Sequence, residues 1–229
     1  MKIDFHSHIL PGIDDGAKTL EESVQLAMAM GGWGFDRITC TPHITRLYRN
    51  TPDSIRLAFN QLQEALSTIE NAPEITMSAE YRLNPETWPD VLSNNWLMPI
   101  EDRYILMEFP IHHPEEMGYL DPLEEFGKVI SLGLVPILPH PERYFYLSHD
   151  ELMKYVDAGV RIQSNYGSFA GLYGPEAQEN AQKLMDEGLI TFLATDMHNM
   201  KYVETIGSWL QKGNEIQEFS HRFVENRGN

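Results

Sequence analysis

Histidines and acidic residues recur in this sequence directly after short apolar runs. His6 and His8 follow the first run, at residues 2–5, and Asp196 and His198 follow the last one. Side chains alternate along an extended strand, so residues two apart can project to the same side and bind one ion. A single pair of this kind is weak evidence, because an exposed or hydrogen-bonded histidine is the commoner case.

Four more potential ligands occupy equivalent positions. His43, Glu80 and His140 each come just after an apolar run, and Glu108 lies inside another, one residue before its end. Six of seven runs therefore end in a metal-competent residue, and these residues include five of the nine histidines. Buried unpaired charges are costly, so the set is best explained by shared cations. Imidazoles and carboxylates without cysteine suit zinc, manganese or iron.

The elements that must position these residues follow from the same pattern. The runs are short and rich in β-branched or large apolar residues, as buried parallel strands are. Strands that alternate with helices predict a mostly parallel α/β sheet, and seven strands favour a closed or nearly closed barrel. In such barrels the chemistry lies at the carboxyl ends of the strands. We predict strands at 2–5, 37–41, 75–79, 104–109, 134–139, 160–164 and 190–195, and helices from Thr19 onward and at 53–70, 121–132, 149–158, 175–187 and 201–224.

The end of one predicted strand and the four remaining histidines show no sign of metal binding. The strand at 160–164 ends in Ser164 and Asn165 rather than in a ligand. The remaining histidines lie in predicted loops or on an exposed helix surface, and we expect none of them to bind metal. They are His112, His113, His149 and His221.

A cysteine mechanism is the alternative that the residues themselves raise. Cys40 and Arg46 have the C-x₅-R spacing of a phosphate loop. We do not favour this reading, because Cys40 falls in a predicted buried strand and His43 has a competing role. The segment also lacks the glycines that let backbone N–H groups surround a phosphate.

Composition restricts the class of protein. The 229 residues suit one domain, which we expect to span residues 1–229. A net charge of −17 argues against nucleic-acid binding, which needs excess Lys and Arg. The single cysteine indicates a reducing compartment. We also expect no membrane insertion and no secretory signal, since long apolar stretches are lacking. Together these features predict a cytoplasmic protein.

At these residues the sequence resembles the polymerase-and-histidinol-phosphatase (PHP) superfamily. Within it, the sequence is most similar to the bacterial protein-tyrosine phosphatases of capsular and exopolysaccharide operons. The likeness runs from residue 2 to about residue 200 and includes the GIDDG and DMHN segments, which are more specific than the HxH pair. The motifs are DFHSHILPGIDDG (4–16), TPH (41–43), AE (79–80), MEFP (107–110), HPERY (140–144) and ATDMHN (194–199).

The resemblance implies a distorted (β/α)₇ barrel of the TIM-like PHP type with two or three divalent ions. We expect manganese, with Fe, Zn, Co and Mg as alternatives. One ion would be held by His6, His8, Glu80 and Asp196; a second by Glu80, Glu108 and His140; and a third by Asp15, His43 and His198. Histidinol phosphatases often carry His in place of Glu108, so Glu108 favours the tyrosine-phosphatase branch.

Two departures from the family pattern concern phosphate binding and length. Some relatives carry an Arg shortly after DMHN, where this chain has Met200-Lys201-Tyr202. Arg143 is therefore the first candidate to bind phosphate and Arg46 or Arg49 the second, since a planar guanidinium can donate two parallel hydrogen bonds. Relatives also usually continue beyond the final RFVENRGN, so we expect the sequence to stop short of the family's usual length.

The predicted activity is hydrolysis of a phosphomonoester by water that a divalent ion activates. Asp196 and metal-bound water are both candidates for protonating the leaving group. The resemblance implies that the substrate is a phosphotyrosine protein, namely the tail of a bacterial tyrosine kinase of polysaccharide synthesis. One alternative is a phosphatase acting on histidinol phosphate or another small molecule. A second alternative, from another class, is a metal-binding scaffold that catalyses nothing.

Overall fold

Nine parallel strands form two sheets in the computed structural model, which describes residues 1–215. One sheet has the order β1-β2-β4 and the other the order β3-β5-β6-β7-β8-β9. All seven predicted strands are present, with ends that differ from the predicted ones by at most two residues. The strands are β1 (Ile3–Ser7), β2 (Arg37–Cys40), β3 (His43–Ile44), β4 (Glu74–Met77), β5 (Glu80–Arg82), β6 (Tyr104–Glu108), β7 (Val135–Pro139), β8 (Arg161–Asn165) and β9 (Ile190–Ala194).

The two extra strands are continuations of predicted ones. β2 leads into β3 and β4 leads into β5, each after a break of two residues. Pro42 lies in the first break and has no N–H to donate, which interrupts regular pairing. Backbone bonds still cross the breaks, from Ser78 N to the Cys40 oxygen (2.8 Å) and from Glu80 N to the Pro42 oxygen (3.1 Å). If each interrupted pair is counted once, seven strand positions result, as the sequence predicts.

The first and last strands meet at their carboxyl ends. Asp196 N donates to the His6 oxygen and His8 N to the Met197 oxygen, both at 2.8 Å. The buried Asp4 carboxylate adds two bonds, from Thr195 N (2.7 Å) and from its hydroxyl (3.0 Å). β1 and β9 thus lie side by side at the end where the predicted ligands cluster. The bonds are local, and no regular ladder joins these strands in residues 1–215.

Helices cover the outside of the sheets. All six predicted helices are present, but the last one ends at Gln211 rather than at residue 224. Residues 216–224 of that prediction, with His221, lie outside the described residues. Two short helices, α3 and α6, were not predicted. The helices are α1 (Leu20–Gly32), α2 (Pro52–Leu66), α3 (Trp88–Ser93), α4 (Pro122–Ser131), α5 (His149–Asp157), α6 (Tyr166–Phe169), α7 (Pro175–Asp186) and α8 (Met200–Gln211).

The apolar core has two parts. The larger part includes the buried faces of the helices, such as Leu26 of α1 and Leu62 of α2. The smaller part contains no helix residue and joins strands that are distant in the sheets, including Phe5 of β1, Leu106 of β6 and Phe192 of β9. This second cluster fills the interior between the strands. Within residues 1–215, no helix has both the length and the apolar character that crossing a membrane requires.

The GIDDG segment depends on a glycine that permits close backbone approach. A Cβ built on Gly16 would lie 1.8 Å from the His8 carbonyl oxygen. That oxygen accepts a bond from Ala17 N (3.0 Å), and Gly16 N donates to Asp14 Oδ1 (2.9 Å). The loop after β1 is thereby folded back onto the strand that carries His6 and His8.

Gly16→Ala is expected to destabilise the protein by about 1–3 kcal/mol, because the added methyl group forces the loop away from His8. Gly127→Ala is the matched control. Gly127 lies inside α4, where an added Cβ would meet no neighbouring atom within 4 Å, so alanine there should stabilise the helix by about 0.5–1 kcal/mol. Thermal unfolding midpoints measure both effects. Equal midpoints for Gly16→Ala and the wild type would contradict the proposed close approach.

Candidate metal centre

A cavity of about 460 Å³ opens at the carboxyl ends of the strands. Seven of the nine predicted ligands line it: Asp15, His43, Glu80, Glu108, His140, Asp196 and His198. The other two, His6 and His8, lie beneath its floor and are completely buried. The structure therefore brings all nine side chains to one place.

Glu80 lies at the centre of this cluster. Its Oε1 is 3.3 Å from His6 Nε2 and 3.2 Å from His140 Nε2. Its Oε2 is 3.3 Å from His8 Nε2 and 3.0 Å from His43 Nδ1. Four imidazoles from three parts of the chain thus surround one fully buried carboxylate, which suits a group shared between cations.

The donor atoms fall into four overlapping groups in which all atoms lie within 4.8 Å of one another. Asp15, His43 and His198 occur together, as the resemblance implies, with His8 added. Glu108 groups with His43 and Glu80, whereas His140 groups with His6 and Glu80. The geometry therefore separates Glu108 from His140, which the family pattern assigns to one ion. The groups are His8/Asp15/His43/His198, His6/His8/Asp196, His6/Glu80/His140 and His43/Glu80/Glu108.

Sheet register and backbone conformation direct these side chains toward one another. His43 of β3 lies directly opposite Glu80 of β5 in the parallel ladder. His140 and Asp196, each just past a strand, adopt left-handed conformations with φ of 40° and 51°. Such values are uncommon for residues other than glycine, and they turn these side chains at the strand ends.

A chain of side-chain amides fixes the tautomer of His6. The Asp196 carboxylate only accepts, so Asn165 must donate to it through Nδ2 (2.8 Å). The Asn165 oxygen then accepts from Gln163 Nε2 (2.7 Å), which leaves the Gln163 oxygen to accept from His6 Nδ1 (2.8 Å). His6 Nε2 therefore directs a lone pair into the cluster. Amides at the end of β8 have this role, and β8 corresponds to the one predicted strand, 160–164, that does not end in a predicted ligand.

Oxygen acceptors hold two further histidines in the same way. Asp14 Oδ2 lies 2.8 Å from His8 Nδ1, and the Asp196 backbone oxygen lies 2.7 Å from His198 Nδ1. The two neighbouring aspartates thus divide their roles. Asp14 orients His8, whereas Asp15 faces His43 (3.3 Å) and His198 (3.6 Å).

The donor set requires positive charge at its centre. His6 Nε2 and His8 Nε2 lie 3.0 Å apart, although both face inward with their Nδ1 atoms engaged. Two lone pairs at that distance repel unless a proton or a cation lies between them. His43 Nδ1 and Glu80 Oε2 are also buried and make no well-formed hydrogen bond. The nitrogen and oxygen donors of this cluster therefore fit divalent ions. Its buried atoms without a hydrogen-bond partner fit them as well.

The pKa shifts of the buried ligands indicate how imidazole protons balance the carboxylate charges when no cation is bound. Burial would raise the pKa of Glu80, but the charges of His6 and His43 outweigh it and hold the pKa well below its ordinary value. Burial would lower the pKa of His8, but the adjacent Asp14 raises it well above the ordinary value. Metal ligands must be deprotonated, so cations entering this cluster would displace imidazole protons.

The two predicted phosphate-binding arginines lie in different places. Arg143 lines the cavity, donates to Asp196 Oδ2 (3.2 Å) and stacks 4.2 Å from the centre of the Tyr173 ring. Arg46 instead lines a neighbouring cavity of about 170 Å³, with Glu86 3.8 Å away. Arg46 is thus not among the residues that line the cavity of the metal ligands, because the loop after β3 turns it outward.

Sequence reasoning missed several residues at this site. His112 and His113, expected to be unremarkable loop residues, line the cavity. Arg82 also lines it. Gln163 and Asn165 were detectable in principle, since they are polar, two residues apart and at the carboxyl end of a predicted strand. Asn165 bonds to Asp196, 31 residues away, and Gln163 bonds to His6, 157 residues away. No local sequence pattern predicts such distant pairings.

Cys40 does not have the environment of a nucleophile. Its side chain is fully buried in the apolar core, and burial raises the pKa of its thiol far above the ordinary value. A reactive cysteine needs a stabilised, accessible thiolate. The C-x₅-R spacing to Arg46 is therefore coincidental.

Known proteins are similar to this chain in sequence and in fold. The sequence model of the family "Capsular polysaccharide synthesis, CpsB/CapC" matches residues 2–205. The tyrosine-protein phosphatase YwqE of Bacillus subtilis is 33% identical over 202 residues, which are 87% of this chain and 78% of that protein.

Solved structures agree with the sequence matches. One similar structure comes from the pair YwqE of Bacillus subtilis and CpsB of Streptococcus pneumoniae, which are described as unique metal-dependent tyrosine phosphatases. It matches this chain with a TM-score of 0.80 and 30% sequence identity. That match covers 98% of this chain and 92% of the other. A histidinol phosphate phosphatase of Lactococcus lactis shares the fold alone, with a TM-score of 0.57 and 12% identity over 93% and 94% of the two chains. The chain belongs to the CpsB/CapC family of capsular polysaccharide synthesis.

Proposed function

We propose that this protein is a metal-dependent protein-tyrosine phosphatase. The observation that carries the proposal is the convergence of nine imidazole and carboxylate side chains in one cavity, around Glu80. The similarity to YwqE supports the same activity, because YwqE is a tyrosine-protein phosphatase and is described as metal-dependent.

The charge of the cavity supports a role for cations in substrate binding. Five carboxylates line it, against two permanently charged cations, Arg82 and Arg143. A phosphate dianion would be repelled by this surface and by the net charge of −17. Divalent ions are often the largest local charges in a site and can reverse this balance. We propose two or three ions, with manganese as the physiological metal.

The ions, when bound, supply positive charge to the phosphoryl group and activate the attacking water. The protein's own residues position the reactants. Arg143 donates to phosphoryl oxygens, and Tyr173 holds its guanidinium plane in place. Gln163 and Asn165 keep His6 in the tautomer that faces the cluster. Two aromatic rings flank the ligands, Tyr48 stacked on His43 and Tyr202 on His198. Tyr202 also lines the cavity and can contact an aromatic leaving group.

Tyr81, which directly follows Glu80 in the sequence, has a structural role. It is fully buried, accepts from Met98 N (2.8 Å) and donates to the Trp96 oxygen (2.9 Å). It therefore holds the segment before β6 and does not face the substrate.

We further propose that the substrate is the phosphorylated tail of a bacterial tyrosine kinase of polysaccharide assembly, which fits the family's link to capsule synthesis. Turnover of histidinol phosphate in preference to phosphotyrosine would instead identify a small-molecule phosphatase. Retained metal without turnover of any phosphoester would identify a scaffold.

Purified protein loaded with manganese is expected to hydrolyse a phosphotyrosine peptide with a kcat/KM at least about tenfold above that for histidinol phosphate, a difference of about 1.4 kcal/mol in transition-state binding. A chelator should abolish both reactions, and added manganese should restore them, because the ions activate the water. Phosphate release measures the rates. Full activity in protein shown by elemental analysis to be metal-free would overturn the proposal.

His140→Ala is expected to lower kcat/KM for the peptide at least about a hundredfold, since even residues behind the ligands typically contribute 10–100-fold. His149→Ala is the control. His149 is half exposed at the start of α5, with Glu187 3.6 Å away, and its loss should leave the rate unchanged. Unchanged activity in the His140 variant would count against the ligand assignment.

Gln163→Met is expected to weaken metal binding about 10–100-fold, because methionine fills the same space but offers His6 Nδ1 no comparable acceptor. Competition with a fluorescent chelator measures the affinity. Gln182→Met, on the exposed face of α7, is the control and should bind metal like the wild type. Equal affinity in both variants would show that the amide chain does not act on the metal centre.

A further inference from the structure

Arg82 is placed at the cavity by the geometry of its strand. It is the last residue of β5, two positions after Glu80, so both side chains project to the same side of the strand. Tyr81 between them points the other way, into the core. In the parallel ladder Arg82 lies directly opposite Glu108 of β6. Sheet register therefore fixes its position beside a candidate metal ligand.

One nitrogen of Arg82 is engaged and two are free to bind. Nε donates to Glu108 Oε1 at 2.9 Å. The two terminal nitrogens make no hydrogen bond to any residue within 1–215. The side chain is 23% exposed and lines both the main cavity and the neighbouring cavity of about 170 Å³. The guanidinium therefore has donors available where a substrate would enter.

Arg82 and Arg143 have matching environments. Arg82 is anchored on Glu108, and Arg143 on Asp196 (3.2 Å). Both carboxylates belong to the ligand cluster, in different groups of donor atoms. Among the cavity-lining residues that the structure describes, these two are the only permanent cations. The cavity over the cluster thus offers an anion two guanidinium groups, each held by a different carboxylate.

We propose that Arg82 is a second phosphate-binding residue, which donates through its terminal nitrogens to a phosphoryl oxygen while Arg143 binds another. This inference rests on the proposed phosphatase function. Arg82 also borders the neighbouring cavity, so it binds the phosphoryl group on the side where the chain carries Thr45, Leu47 and Pro85. Charge-assisted hydrogen bonds of this kind are shorter and stronger than neutral ones.

The test must separate phosphate binding from an indirect effect through Glu108. Arg82→Gln does so, because the glutamine Nε2 atom occupies the same place along the side chain as arginine Nε. The variant can keep its bond to Glu108 but loses the charge and the terminal donors. Arg161→Gln is the control. Arg161 is the exposed first residue of β8, at the opposite end of its strand from the cavity.

Two measurements on manganese-loaded protein decide the question: bound metal by elemental analysis, and orthophosphate affinity by isothermal titration calorimetry. Arg82→Gln is expected to retain its metal and to bind orthophosphate at least about tenfold more weakly than the wild type. Arg161→Gln should match the wild type in both. For the peptide substrate, KM should rise and kcat should fall in Arg82→Gln.

Unchanged orthophosphate affinity in Arg82→Gln would overturn the inference and leave the phosphatase proposal intact. Loss of metal in that variant would also overturn it, because Arg82 would then act only by positioning Glu108. Wild-type protein that holds metal but does not bind orthophosphate would contradict the inference directly. Wild-type protein that binds orthophosphate but hydrolyses no phosphotyrosine peptide would overturn the proposed function, and the calorimetry would still decide the role of Arg82.

Discussion

The structure depends on one electrostatic constraint: a buried carboxylate, Glu80, is surrounded by four imidazoles within about 3.3 Å. Such a cluster is stable only if positive charge fills its centre, because burying unpaired charges and lone pairs is costly. Protons on the imidazoles balance it in part, as the raised pKa of His8 and the lowered pKa of Glu80 indicate. Divalent cations match the same demand with ligands that are already in place.

The surrounding framework keeps these groups from relaxing apart. Sheet register sets His43 opposite Glu80, and the amide chain from Asp196 to Gln163 fixes the orientation of His6. The bonds between the ends of β1 and β9 bring His6 and Asp196 together although they are 190 residues apart. The local contact between the ends of β1 and β9 therefore also brings together the candidate metal ligands that these two strand ends carry.

Much of the fold was predictable because each strand and helix is encoded by its own pattern of apolar residues. The shortfalls have local physical causes. Pro42 interrupts a strand that periodicity alone presents as continuous. The six-residue α3 is too short for a helical period to be evident. The predicted helix at 201–224 ends at Gln211, followed by a left-handed Gly213 that an apolar pattern does not reveal.

The sequence by itself determined which residues could bind metal, since a His, Asp or Glu at the end of a strand is visible in one dimension and strand ends of a parallel sheet share one edge. Only the tertiary structure decided how the nine donors divide among groups, and only it showed that Asp14 orients His8. It alone also revealed Gln163, Asn165 and Arg82 at the site and turned Arg46 away from it. These outcomes depend on hydrogen bonds and register between strands that are distant in the chain, and no local pattern specifies such pairings.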